Sequence, residues 1–87
     1  MSRISLRPRA LDGLRHAPKD YRLKLNEALD ILQQGLFPQH TKKLGGATNG
    51  FRTRIGRWRI LFTLKSGEIE IADIFMKKGR GDYRRRS

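Results

Sequence analysis

Apolar and polar positions alternate in short stretches near both ends of the chain and recur at helical spacing between them. Ile4 and Leu6 alternate with Arg3 and Ser5, which predicts a short first strand. Pro8 suits the first turn of a helix, and Ala10, Leu11, Leu14 and Ala17 continue it along one helical face. Pro18 interrupts that helix and suits the opening of a second. There Tyr21, Leu25, Ala28, Leu29 and Leu32 form one stripe, expected to pack on a sheet. Leu23 lies off the stripe and is expected in solvent. Gly35 is a helix stop, and Phe37-Pro38 turns the chain into a loop.

Beyond Gly50 the period changes from helical to two. Phe51, Thr53 and Ile55 alternate with Arg52 and Arg54. Gly56-Arg57 reads as a two-residue hairpin turn with glycine at its first central position. Trp58, Ile60, Phe62 and Leu64 then alternate with Arg59, Leu61 and Thr63, and Ser66-Gly67 makes a second turn. Glu68 to Phe75 reads as a third consecutive strand, with Ile69 and Ile71 expected on one face and Ala72 and Ile74 on the other. Gly79 and Gly81 break the pattern. The order is β-α-α-β-β-β, an α+β fold with a helical hairpin packed on one face of a mostly antiparallel four-stranded sheet. Residues 1–87 make one domain with a basic tail from about residue 77.

Composition narrows the chemistry. There is no cysteine, so disulfides, thiolate metal sites and cysteine nucleophiles are excluded. No apolar run approaches the roughly 18 residues of a membrane span, and no secretory signal opens the chain. A cytoplasmic setting without membrane contact is therefore expected. No spacing of His, Asp or Glu indicates a metal site, and no cofactor is expected. His16 closes the first helix and His40 sits in a loop, and both are expected to be plain surface or helix-end residues.

Charge changes the picture most. Lys and Arg number 20 against 8 Asp and Glu, a formal net charge of +12. Such an excess opposes compaction through self-repulsion unless a polyanion or an acidic partner relieves it. It is also local. Residues 42–59 hold Lys42, Lys43, Arg52, Arg54, Arg57 and Arg59 with no acid, and residues 77–87 hold Lys77, Lys78, Arg80, Arg84, Arg85 and Arg86 against Asp82.

The predicted turn sets a register. Ile55 faces Trp58, Arg54 faces Arg59, Thr53 faces Ile60 and Arg52 faces Leu61. Ile55, Thr53, Trp58 and Ile60 then meet the helices, while Arg52, Arg54 and Arg59 share the other face. Opposed arginines repel one another in isolation, and guanidinium forks match phosphate oxygens in a bidentate manner. Two other outcomes stay open: the long arginine stems splay into water, or Glu68 or Glu70 on the next strand neutralises them. Lys77, Lys78 and Arg80 leave the last strand towards the same face, and Tyr83 offers a ring for stacking on a base.

The helical hairpin, Lys43-Leu44-Gly45, the strands Phe51-Arg52-Thr53-Arg54-Ile55 and Trp58-Arg59-Ile60-Leu61-Phe62, and the basic loop ending in Tyr83 together resemble the RelE/ParE superfamily of small toxins from bacterial type II toxin–antitoxin systems. The resemblance spans essentially the whole chain. It implies a metal-independent, ribosome-dependent endoribonuclease that cuts mRNA in the ribosomal A site by attack of a ribose 2′-OH on the adjacent phosphate. It implies a catalytic set of Arg52, Arg54, Arg59, Lys77 or Lys78, and Tyr83, with Lys42, Lys43, Arg57, Arg80 and Arg84 as further RNA contacts. The implied partners are a cognate antitoxin, the ribosome with its mRNA, and operator DNA through the antitoxin complex only. Where the best-known family pattern has lysines, this chain has Arg52 and Arg54, and arginine cannot act as a general base. Lys77, Lys78, Tyr83 and Asp82 remain as candidates to carry the proton. Two other functions compete: a ParE-like toxin that inhibits DNA gyrase without being a nuclease, and a non-catalytic basic nucleic-acid-binding module.

Overall fold

These alternations and stripes become seven elements in the computed structural model of the chain, which describes residues 3–46 and 49–78. They are β1 (Arg3–Leu6), α1 (Pro8–His16), α2 (Lys19–Gln33), β2 (Thr41–Lys43), β3 (Gly50–Ile55), β4 (Trp58–Lys65) and β5 (Glu68–Met76). The sheet runs β1-β5-β4-β3-β2. Only β1 and β5 are parallel; the other neighbours are antiparallel. The class is the α+β layout expected from sequence, with five strands rather than four. The added strand, β2, has only three residues and no apolar alternation, so nothing in its own pattern marks it. It is defined by its partner, pairing Thr41, Lys42 and Lys43 with Thr53, Arg52 and Phe51 along the edge of β3.

The stripe on α2 buries Leu25, Ala28, Leu29 and Leu32, while Leu23 stands exposed as expected. With Ala10 and Ala17 they pack on Trp58, Ile60, Phe62, Ile69, Ile71 and Ile74, all on one face of the sheet. Each large apolar side chain so buried contributes about 1.5–3 kcal/mol, which offsets the repulsion of an excess of cations. Phe37, at the exit from α2, lies 5.0 Å from Phe51 and 6.1 Å from Phe62, closing the open end of this core. Gly13 is needed for close approach: a Cβ there would lie 1.8 Å from the carbonyl oxygen of Ile74.

One expectation about β5 is corrected. Leu61 pairs with Asp73 but Phe62 pairs with Ile71, so Ala72 is the extra residue of a β-bulge. The bulge shifts the phase of the strand by one. Ile74 therefore joins Ile69 and Ile71 against the helices instead of facing away from them. Asp73 and Phe75 consequently lie on the opposite face, both buried. A run in which every residue after Glu70 except Asp73 is apolar gives no local sign of where such an insertion falls. No described helix is long and apolar enough to cross a membrane.

Candidate nucleic-acid interface

The β3–β4 turn organises the basic face. Gly56 has φ +59° and Arg57 does not share the left-handed region, the signature of a type II′ hairpin. The resulting register is Arg54 opposite Arg59, Ile55 opposite Trp58, Thr53 opposite Ile60 and Arg52 opposite Leu61, each as the sequence predicts. Thr53, Ile55, Trp58 and Ile60 point to the helices, and the three arginines occupy the other face.

The edge strand completes the cluster. Lys42 stands opposite Arg52, and His40 precedes β2 directly. The Arg54 backbone N–H donates to the His40 carbonyl at 3.2 Å. Thr41 Oγ1 donates to the Pro38 carbonyl at 2.7 Å, so the Thr53 hydroxyl, 2.8 Å away and fully buried, donates to Thr41. His40, Lys42, Arg52, Arg54 and Arg59 line one cleft of about 300 Å³, with no acidic side chain among its described lining residues.

Arg59 does not splay into water. It is 9% exposed, and its Nη1 donates to the carbonyls of Gly56 at 2.7 Å and Trp58 at 3.0 Å. The Nε groups of Arg59 and Arg52 are buried and meet no hydrogen-bond acceptor among the described residues. Each such donor costs about 1–3 kcal/mol, a cost that a ligand oxygen removes. Nor do Glu68 and Glu70 neutralise the cluster. Glu68 lies 3.9 Å from Arg3 and Glu70 3.4 Å from Arg7, at the β1 side of the sheet.

The remaining sequence-predicted residues are distributed differently. Lys77 continues from β5, its backbone N–H donating to the Arg57 carbonyl at 2.7 Å beside the turn. Lys78 lines a separate cleft of about 630 Å³ with Arg9, His16, Trp58 and Met76. Arg57 is exposed at the turn. Lys43 pairs with Phe51, which places it at a register position on the helix side. Tyr83, Arg80, Arg84 and Asp82 lie outside the described residues. His16 is the helix-end residue expected, its Nδ1 donating to the Asp12 carbonyl at 2.8 Å.

His40 and Asp73 are what the sequence reading missed. His40 is exposed, as expected, but it stands in the cation cleft, with Arg54 Nη2 donating to its Nδ1 at 3.4 Å. Asp73 sits in the cross-strand row of Lys42, Arg52 and Leu61. Only the unpredicted β2 and the unpredicted bulge bring these two residues to this face.

No family model matches the sequence, and no curated protein matches it. Solved structures do match in shape. The isolated RelE toxin of E. coli superposes with a TM-score of 0.78 at 13% identity, covering 98% of this chain and 94% of that one. The chain has the RelE fold. The toxin–antitoxin complex RelB–RelE of Methanococcus jannaschii gives a TM-score of 0.77 at 22% identity, over 90% of this chain and 95% of that one. The YoeB–YefM complex of Staphylococcus aureus gives 0.69 at 22% identity, over 86% and 95%. Within this RelE fold the cation-lined cleft occupies the sheet face turned away from the helical hairpin.

Proposed function

We propose that this chain is the toxin of a toxin–antitoxin pair, acting in the cytoplasm as a ribosome-dependent endoribonuclease on mRNA. The observation that carries the reading is the cleft in which Arg52, Arg54, Arg59 and Lys42 converge with no acid among its described lining residues. A phosphodiester entering it meets guanidinium forks from two strands, which hold its oxygens and oppose the negative charge that grows as the neighbouring 2′-OH attacks phosphorus. Because arginine stays protonated, these residues position and stabilise but take no proton. Lys77, whose backbone N–H meets the Arg57 carbonyl beside the turn, extends the same RNA path. The antitoxins in the archaeal and staphylococcal complexes support a protein partner for this chain as well.

The test is primer-extension mapping of transcripts in cells producing the protein, with and without the adjoining gene's product. Cuts inside codons at the A site, and growth restored by the partner, are the expected result. Intact transcripts accompanied by double-strand DNA breaks would replace this reading with gyrase inhibition.

A further inference from the structure

We infer that His40 is the group that takes the proton from the attacking 2′-OH. The inference rests on the endoribonuclease reading above and assigns the step its arginines cannot perform. Of the described residues lining the cleft, His40 alone carries a ring nitrogen able to accept a proton, the others being cationic side chains. The groups facing it are Lys42 from its own edge strand, Arg52 and Arg54 from β3 and Arg59 from β4.

His40 has φ +62°, a left-handed conformation in which His, Asn and Asp are the non-glycine residues most often found. Such a conformation costs on the order of 1–3 kcal/mol and persists only where the surroundings impose it. Here the surroundings do. The His40 carbonyl accepts the Arg54 N–H on one side, and on the other Thr41 is tied to Pro38 and to the buried Thr53. The backbone of His40 is thereby fixed beside the cleft that the residue lines.

The geometry at Arg54 shows which nitrogen is available. A guanidinium has only N–H groups to offer, so Nδ1 is the acceptor and bears a lone pair. A phosphate that draws Arg54 onto its own oxygens releases that lone pair beside the bound nucleotide. In the reaction Nδ1 removes the 2′-OH proton as the O2′–P bond forms and the P–O5′ bond breaks. The products are a 2′,3′-cyclic phosphate and a 5′-hydroxyl. The departing 5′-oxygen takes a proton from water, and the imidazolium returns its own to solvent. No water is consumed, and no oxidant or reductant is needed.

The experiment is single-turnover cleavage of ribosome-bound mRNA by the full chain, with rates followed between about pH 5 and 8, where an imidazole titrates. His40→Asn tolerates the left-handed backbone but lacks the base, and His40→Gly leaves space for added imidazole. Thermal melting checks that both variants fold. We expect His40→Asn to cleave about 10²–10⁴-fold more slowly, to bind RNA as well as the parent, and to lose the rise in rate with pH. We expect imidazole to restore cleavage by His40→Gly. Full-rate cleavage by His40→Asn overturns the inference, and so does a slowing that keeps the parent's pH profile and ignores imidazole. Either leaves the endoribonuclease reading standing. A parent protein that leaves mRNA intact overturns both.

Discussion

The sheet face turned away from the helices holds arginines at both of its ends, under opposite conditions. On the β1 side Arg3 and Arg7 lie against Glu68 and Glu70, and all four side chains are largely open to water. On the β2 side Arg54 stands opposite Arg59, Lys42 stands opposite Arg52, and no acid is among the described residues lining the cleft they share, the buried Asp73 lying further along the Lys42–Arg52–Leu61 row. Exposed pairs of the first kind contribute only about 0–1 kcal/mol, so their sequence positions are weakly constrained by stability. Cations opposed across a ladder are mildly destabilising, and a buried Nε without an acceptor among the described residues adds to that. The β2 side is thus the less comfortable arrangement, and under the proposed function an RNA phosphate relieves it. On that reading the contrast separates surface charge that serves solubility from charge arranged for a ligand.

The largest effect expected is on activity. Arg59→Ala should lower mRNA cleavage about 10²–10³-fold, the usual consequence of removing one donor to developing charge. It should leave antitoxin binding intact, measured by co-purification beside the cleavage assay. Glu70→Gln at the other end of the face should leave cleavage unchanged.

A second substitution imports the β1 arrangement into the β2 side. Arg54→Glu places an acid opposite Arg59, so it should raise stability by up to about 1 kcal/mol while abolishing RNA binding. Urea unfolding and filter binding report the two quantities, and a fall in stability would mean that Arg54 and Arg59 are not in conflict.

Salt dependence gives a finer reading. Arg52→Gln should reduce the slope of log affinity against log salt for a single-stranded RNA by about 0.7, the change expected when one phosphate is no longer neutralised. Arg3→Gln should not change it. The smallest effect belongs to the paired side: Arg7→Ala should shift urea-unfolding stability by less than about 0.5 kcal/mol, as expected for an exposed ion pair.

How much of this was legible depended on how local its cause was. The Gly56-Arg57 turn is a local signal with one favoured geometry, and it carried the whole β3–β4 register, including Arg54 opposite Arg59. The α2 stripe was equally readable because burial repeats along one element. The β2 strand was not, since Thr41, Lys42 and Lys43 show no pattern of their own and pair only with a strand further along the chain. His40 followed it out of sight. The bulge at Ala72 was hidden for a different reason. Ile71, Ala72, Ile74, Phe75 and Met76 are all compatible with burial, so the pleat can slip by one without any residue objecting. That slip delivered Asp73 to the basic face.

Gly56 carries a further consequence. A Cβ at this position would come within 2.9 Å of the Tyr21 hydroxyl, so the turn rests directly against α2. The same glycine's carbonyl holds Arg59 Nη1 at 2.7 Å. Helix layer and guanidinium are therefore linked in series through one phenol ring and one peptide group. A side chain at position 56 would thus press on α2 and disturb the carbonyl that holds a guanidinium in the same stroke.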